Sequence, residues 1–175
     1  MALPIILTGP MGSGKSSVGR LLAEQLGFRF VDLDALLVEQ AGKSINRIFA
    51  EEGETAFRKR ETELLGLLTG RERMVLATGG GAVISEQNRR LMHALGLVAN
   101  LTADVSELAD RLAQADDRPL LQGEQPLEAR IAGIMAERES FYADADIRID
   151  TTGKTLEDVA AQLLVFYAER CIQKL

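Results

Sequence analysis

The sequence predicts an α/β fold in which a five-stranded parallel sheet is flanked by helices on both faces, as a three-layer sandwich. Two observations lead to this prediction. Apolar runs of strand length alternate along the chain with segments whose apolar residues recur at helical spacing, and a glycine-rich loop joins the first apolar run to the first helical segment. Because strands separated by helices need crossover connections, the strands are expected to be parallel.

The five predicted strands are short apolar runs, as expected when helices cover both faces of a parallel sheet. They span residues 3–8, 28–33, 74–78, 95–101 and 147–150. The first helical segment follows the glycine-rich loop and has its apolar residues at Val18, Leu21, Leu22 and Leu26. The last has a longer apolar stripe, made of Leu156, Val159, Ala160, Leu163, Leu164 and Tyr167.

Three helix starts are marked by residues that favour the N-cap position. Ser44 precedes one helical segment, and Asp104 with Glu107 precedes another. Thr155 with Asp158 has the spacing of a capping box, in which the two side chains bond reciprocally to backbone N–H groups. These residues predict where the helices begin.

Two stretches interrupt the alternation of strands and helices. Residues of about 34–70 carry two or three helical segments and are too long for a simple crossover, so they are expected to form a substrate-binding helical insertion. Residues of about 114–126 are polar, contain Gly123 and two prolines, and are expected to form a lid.

The composition indicates one globular domain over residues 1–175. Of the 175 residues, 46% are hydrophobic and 26% are charged, which is typical of a domain with its own core. The net charge of −6 argues against a nucleic-acid partner, because a general nucleic-acid binder needs a basic surface. A small acidic substrate remains compatible with this charge, since a pocket can be locally basic.

The single cysteine, Cys171, excludes an intramolecular disulfide and is typical of a reducing cytoplasm. No apolar run reaches the roughly 20 residues that span a bilayer, and the N-terminus lacks the basic region of a signal peptide. We therefore expect a cytoplasmic protein with no membrane partner. The last helical segment has no obvious apolar stripe beyond the one assigned to the core, so a monomer is expected.

Residues 9–16, with the sequence GPMGSGKS, match the phosphate-loop pattern G-x-x-x-x-G-K-[ST] at every fixed position. A predicted strand precedes the loop and a predicted helix follows it, as the motif requires. Glycines let backbone N–H groups converge on phosphate oxygens, and the helix N-terminus adds a favourable dipole. Lys15 is expected to bridge the β- and γ-phosphates, and the Ser16 hydroxyl is expected to ligate Mg²⁺.

Two features favour a small kinase over the GTPases and motor proteins that share this loop. The domain is barely larger than the fold requires, and no Asp-x-x-Gly sequence follows the third predicted strand, where a GTPase switch would begin. Thr78 is followed there by Gly79, Gly80 and Gly81. Glycine backbone at a strand end offers N–H groups and room for a ligand to approach closely.

Asp32 and Asp34 follow the second predicted strand, at the edge where open α/β sheets bind their ligands. One carboxylate could hold Mg²⁺ through water, and the other could accept a hydrogen bond from an attacking hydroxyl. A capped turn before the next helix explains the pair equally well. Arg58, taken alone, is better explained as a solvated charge on a helix.

Considered together, these segments resemble the shikimate kinase family. The matching positions occur in the family's order and at its spacing, and they cover nearly the whole chain. They are residues 9–16, 32–34, 42–45, 48–49, 53–54, 57, 58, 61, 78–81, 117–121, 138 and 142. The resemblance implies an ATP-dependent and Mg²⁺-dependent kinase that phosphorylates the 3-hydroxyl of shikimate, giving shikimate 3-phosphate and ADP, in the chorismate pathway of aromatic amino-acid synthesis.

The resemblance also implies site roles. Lys15, Asp34 and Arg118 would be catalytic, with Asp34 as the proposed base and Arg118 reaching from the lid to the transferring phosphoryl group. The metal would be held by Ser16 and, through water, by Asp32. The nucleotide-binding set would be Gly12, Ser13, Gly14, Lys15, Ser16, Ser17, Arg111 and Arg118, and the substrate-binding set would be Asp34, Phe49, Phe57, Arg58, Gly79, Gly80, Gly81 and Arg138.

Three alternatives stay open at this point. Another small-metabolite kinase of the same fold, such as a gluconate kinase, is the nearest, and a nucleoside monophosphate kinase is the second. The third is a nucleotide-dependent binding or regulatory protein without turnover. The presence of Lys15, Ser16, Asp34 and Arg118 together argues against the third.

Overall fold

The structure, a computed structural model, describes residues 2–113 and 125–172. The strands are β1 (Ile5–Thr8), β2 (Arg29–Asp32), β3 (Met74–Ala77), β4 (Leu97–Thr102) and β5 (Ile147–Asp150). The helices are α1 (Lys15–Leu26), α2 (Leu33–Ala41), α3 (Ile45–Leu67), α4 (Glu86–Leu95), α5 (Val105–Leu112), α6 (Leu127–Tyr142) and α7 (Leu156–Ile172), with a short 3₁₀ helix at Ala82–Ile84. Most of the predicted lid, residues 114–124, lies outside the described residues.

The five strands form one sheet in the order β2-β3-β1-β4-β5, and every neighbouring pair is parallel. Side chains of the central strand alternate between the two faces. Ile6 packs with Leu65 and Met92 from α3 and α4, whereas Leu7 packs with Leu22 and Leu163 from α1 and α7. Helices thus cover both faces, and the predicted three-layer α/β sandwich is confirmed.

Two of the three predicted caps are observed. The Ser44 Oγ accepts a hydrogen bond from the Arg47 N–H at 3.3 Å. The Thr155 Oγ1 accepts from the Asp158 N–H, and an Asp158 oxygen accepts from the Thr155 N–H, each at 3.1 Å. This reciprocal pair is a capping box.

The helix start predicted at Asp104 is confirmed, because Asp104 is the N-cap residue of α5. The predicted capping bond is absent, since its side chain makes no capping hydrogen bond. Glu107, its expected companion, instead accepts from the Gly153 N–H at 3.0 Å and pairs with Arg111. The Glu107 carboxylate therefore bonds to the backbone of the loop after β5.

The α7 stripe is confirmed only in part. Val159 and Tyr167 are buried in the core as predicted, but Leu156 is 43% exposed and lines the large cavity described below. The helix also exposes Val165 and Ile172, seven residues apart on one face. Two such residues do not make a second apolar stripe, and the monomeric state stays a prediction.

Helices α2 and α3 lie between β2 and β3, where the insertion was predicted. Helix α3 is kinked at Gly53, whose φ of 80° and ψ of 170° are not helical. An L-residue rarely adopts this backbone conformation, so glycine is needed there. Within the described residues, no helix is both long and apolar enough to cross a membrane.

Candidate active site

A cavity of about 760 Å³ lies at the carboxyl ends of β1, β2 and β3. Its lining includes the phosphate loop, Asp32, Asp34, Gly79, Gly80 and Arg111. Ligands of open parallel sheets bind at this edge, because the loops that follow the strands converge there. The phosphate loop and the acidic residues predicted to act in catalysis therefore share one cavity.

The phosphate loop has the backbone that its glycines were predicted to allow. Gly12 and Gly14 have φ values of 80° and 92°, and Gly14 is the N-cap residue of α1. A side chain at either position would strain the loop. The N–H groups of the first helical turn lack helical acceptors, so this turn can receive phosphate oxygens.

Lys15 is 9% exposed, and its ammonium group bonds back to its own loop. The Nζ atom donates to the Gly9 carbonyl at 2.9 Å and to the Pro10 carbonyl at 2.7 Å. Buried charges are normally paired or hydrogen-bonded. These carbonyls hold the ammonium group against the cavity side of the loop.

Ser16 and Asp32 contact each other directly. The Ser16 hydroxyl donates to Asp32 Oδ2 at 2.8 Å, and Asp32 Oδ1 accepts from the Ala35 N–H at 3.2 Å. Asp32 therefore caps α2, as one interpretation predicted, and it also bonds Ser16. Its role in holding a metal ion stays a prediction. Within the described residues, no group of three or more His, Cys, Asp or Glu side chains could hold a metal ion.

Arg111 on α5 contacts the phosphate loop. Its Nη1 donates to the Gly12 carbonyl at 3.0 Å and to the Thr151 hydroxyl at 3.3 Å. The guanidinium also pairs with Glu107. Arg111 thus ties α5 to the loop and lines the cavity beside Thr155 and Leu156.

The other end of the site is organised around Glu61 on α3. Glu61 is fully buried, and its Oε2 accepts from Arg58 Nη1 at 3.0 Å. Arg58 also donates to Glu54 Oε1 at 3.1 Å, and its guanidinium lies 5.1 Å from the centre of the Phe57 ring. Two carboxylates and a ring face therefore hold the guanidinium in one place.

Burial raises the pKa of the Glu61 carboxyl to about 7, because desolvation penalises its charged form. The Arg58 and Arg138 guanidiniums lower this pKa, and the Asp34 carboxylate raises it. Arg58 bonds Glu61 directly, and Asp34 and Glu61 both lie close to Gly79, so these side chains are neighbours. Their role in substrate binding stays a prediction.

The glycines after β3 leave space for these side chains. A Cβ on Gly79 would lie 2.9 Å from Asp34 Oδ1 and 3.2 Å from Glu61 Oε1. A Cβ on Gly81 would lie 2.8 Å from both Cζ and Nη1 of Arg58. Distances below 3.0 Å are too short for carbon, so glycine at 79 and 81 is a condition for the observed positions of Asp34 and Arg58.

Arg138 is 7% exposed on α6, and Tyr142 lies one turn further along the same helix. The Tyr142 hydroxyl donates to the Gly80 carbonyl at 2.7 Å. Phe49 and Phe57 pack against each other with ring centroids 4.7 Å apart. Phe57 is buried beneath Arg58, whereas Phe49 is only partly buried.

The structure thus brings the predicted residues together in two groups. Gly12, Ser13, Gly14, Lys15, Ser16, Ser17, Asp32, Asp34, Gly79, Gly80 and Arg111 line the cavity itself. The other five are not among the residues that line it: Arg58 and Arg138 interact with Glu61, Gly81 adjoins Arg58, and Phe49 packs against Phe57. Arg118 lies outside the described residues. The functional role of each residue stays a prediction.

Sequence reasoning assigned no role to Glu61, Tyr142 or Arg89. Arg89 Nη1 donates to the Val83 carbonyl at 2.6 Å and so holds the 3₁₀ helix that follows the glycines. For Glu61 a signal was available, because it falls on the apolar stripe of α3 with Leu64 and Leu65. A carboxylate on a buried stripe needs a cation, and Arg58 is three residues away.

The shikimate kinase family model matches residues 11–168 of the chain. A shikimate kinase of Geobacter metallireducens is 60% identical over 159 residues, which cover 91% of this chain and 88% of that protein. One of Geobacter sulfurreducens is 53% identical over 165 residues, which cover 94% and 91% of the two chains.

Solved structures of shikimate kinases are also similar to this chain. A shikimate kinase from Acinetobacter baumannii in complex with shikimate has a TM-score of 0.92 and 38% identity, over 97% of this chain and 95% of that chain. A shikimate kinase from Aquifex aeolicus has a TM-score of 0.82 and 35% identity, over 95% and 96% of the two chains.

Proposed function

Because the chain belongs to the shikimate kinase family, we propose that it transfers the γ-phosphoryl group of ATP to the 3-hydroxyl of shikimate. The products are shikimate 3-phosphate and ADP. The observation that carries this proposal is a cavity lined by the phosphate loop, Asp34 and Gly79, with the Glu61–Arg58 pair next to Gly79 and Asp34. The phosphate loop suits a nucleoside triphosphate, and the carboxylate–guanidinium pair suits a small hydroxylated acid.

The residues at the phosphate loop fit a nucleotide carried with Mg²⁺. The Ser16 hydroxyl can donate its proton to Asp32, as it does in the structure, while its lone pairs face a metal ion. Mg²⁺ prefers oxygen ligands and usually keeps several waters. We propose Ser16 as a direct ligand and Asp32 as a ligand through water. The ion would neutralise part of the phosphate charge.

Arg58 and Arg138 would bind the acceptor's carboxylate. A guanidinium can bond both oxygens of a carboxylate at once, which fixes its plane as well as its position. Arg58 is held by Glu54 and Glu61 before any ligand arrives, so little side-chain entropy is lost on binding. Its Nε is buried and has no protein hydrogen-bond partner.

Asp34 would orient the attacking hydroxyl. It lines the cavity and lies close to Gly79. Phosphoryl transfer has a loose transition state, so positioning and charge stabilisation dominate. Carboxylates are weak bases at neutral pH, and Asp34 would accept the proton late, as the bond to phosphorus forms. Lys15 would stabilise charge on the transferring group.

We propose that residues of about 34–70 act as the substrate-binding insertion and residues of about 114–126 as the lid. Arg118 of the lid would reach the transferring phosphoryl group, and lid closure would exclude competing water. A monomeric, cytoplasmic enzyme with no nucleic-acid or membrane partner is part of the same proposal. The net charge of −6 and the single cysteine support it.

A coupled ADP-release assay with shikimate, gluconate and AMP as separate acceptors tests the proposal. We expect turnover with shikimate alone, and Lys15→Ala is expected to abolish it. Turnover with gluconate or AMP in place of shikimate would reassign the acceptor. Nucleotide binding without turnover of any acceptor would favour a regulatory protein.

A further inference from the structure

Tyr142 connects three parts of the site that come from different elements. It is 2% exposed at the end of α6, and its hydroxyl donates to the Gly80 carbonyl at 2.7 Å. This distance is typical of a good O–H···O hydrogen bond. A buried phenol that reaches a half-buried carbonyl in the ligand cavity fixes the direction of that peptide group.

The Arg138 guanidinium also interacts with this phenol. The two side chains lie four residues apart on α6, and a hydrogen bond from the Arg138 guanidinium acts to lower the pKa of the phenol. Burial is the larger effect and raises this pKa. The hydroxyl therefore keeps its proton at neutral pH and donates it to the Gly80 carbonyl, with the Arg138 guanidinium as its charged neighbour.

Gly80 in turn packs against the phosphate loop. A Cβ on this residue would lie 3.3 Å from the Met11 N and 3.4 Å from the Gly9 carbonyl oxygen. The neighbouring glycines adjoin Asp34 and Arg58. A rotation of the Gly80 peptide would therefore disturb the contact between the two halves of the cavity.

We propose that Tyr142 is a positioning residue for phosphoryl transfer, which orients the Arg138 guanidinium and the Gly80 peptide relative to each other. This inference rests on the proposed function, in which Arg138 and Gly80 contact the acceptor. Tyr142 itself touches neither substrate; it acts through the two groups that it bonds. Loss of its hydroxyl would leave both of them free to turn.

The chain supplies a matched control, because it has only two tyrosines. Tyr167 is 8% exposed, and its hydroxyl donates to the Leu3 carbonyl at 3.0 Å, before the start of β1 and so at the edge of the sheet opposite the cavity. Tyr142→Phe and Tyr167→Phe therefore each remove one hydroxyl that bonds a backbone carbonyl. Only Tyr142→Phe removes a hydroxyl from the candidate site.

Steady-state kinetics of both variants test the proposal. Tyr142→Phe is expected to lower kcat/KM for shikimate by roughly 3- to 10-fold, as for the loss of one hydrogen bond, mainly through KM. The KM for ATP should stay within about twofold of the wild-type value, and Tyr167→Phe should leave both parameters unchanged. Equal kinetics for the two variants would overturn the positioning role. Absence of shikimate turnover in the wild-type enzyme would instead overturn the proposed function.

A second measurement does not depend on the folding of Tyr142→Phe. Wild-type protein labelled with 3-fluorotyrosine gives two ¹⁹F NMR signals, and the Tyr167→Phe variant identifies the signal of Tyr142. Shikimate is expected to shift the Tyr142 signal and leave the Tyr167 signal in place. If shikimate binds and neither signal moves, Tyr142 is not coupled to the acceptor and the inference fails.

Discussion

Replacing Glu61 by glutamine should change how the stability of the protein depends on pH. Glu61 is fully buried, and burial raises the pKa of its carboxyl from 4.5 to about 7 despite the adjacent Arg58. Glutamine has nearly the same shape, and its oxygen can still accept from Arg58, but it does not ionise. The comparison of Glu61→Gln with the wild type therefore isolates the ionisation of one carboxyl group.

The direction and size of the effect follow from linkage. Below about pH 4.5 Glu61 is protonated in both the folded and the unfolded chain, and its contribution to stability is fully present. Between about pH 4.5 and 7 the unfolded chain releases this proton while the folded chain retains it, so stability falls. A rise in pKa from 4.5 to about 7 corresponds to a loss of about 3 kcal/mol by the upper end of this window.

Urea unfolding at a series of pH values from 4.5 to 8.5 measures this change. The free energy of unfolding of Glu61→Gln, minus that of the wild type, should rise by about 3 kcal/mol across the series. Glu63→Gln is the control, because Glu63 lies on the same helix with its side chain 57% exposed and should give a nearly constant difference. A constant difference for Glu61→Gln would refute the idea that the buried carboxyl is held partly protonated.

Three further substitutions test the site. Arg58→Ala should weaken shikimate binding by about 1.5–3 kcal/mol, as for a lost charge-assisted hydrogen bond, and calorimetry showing unchanged affinity would reject the carboxylate clamp. Gly81→Ala keeps an accessible backbone, with φ of −99°, but its Cβ would lie 2.8 Å from Arg58 Cζ. It should raise the KM for shikimate roughly 10-fold, whereas Gly66→Ala, with open space around it, should not. Arg118→Ala should lower kcat on the order of 10²–10³, and near-normal turnover would contradict its role in the lid.

The strands were predictable because burial on both faces demands continuous apolar runs. The residues at which the strands begin and end were harder to predict. The fourth strand was predicted from residue 95, but Leu95 ends α4 and the strand begins at Leu97. Leu95 is apolar because it packs in the core from a helix, and an apolar residue does not reveal which element carries it. The order of strands across the sheet depends on contacts that no local pattern encodes.

The phosphate loop was predictable for a different reason, since all its groups are contiguous in sequence. The acceptor end is assembled from α2, α3, α6 and the turn after β3. Arg58 taken alone was better explained as a solvated charge, because its anchor Glu61 is a carboxylate that normally lies at the surface. Only the fold shows that Arg58 bonds Glu61 and that Asp34 and Glu61 both lie close to Gly79. Tyr142 was missed because its partner is a backbone carbonyl from another element.

The central claim is that this cavity passes a phosphoryl group from ATP to one hydroxyl of shikimate and not to water. ³¹P NMR of a mixture of enzyme, Mg²⁺, ATP and shikimate observes the transferred phosphorus directly. The account predicts one new phosphate monoester signal, coupled to the proton on carbon 3 of shikimate, and growing in step with ADP. A signal coupled to another ring proton, or inorganic phosphate in place of the ester, would contradict it.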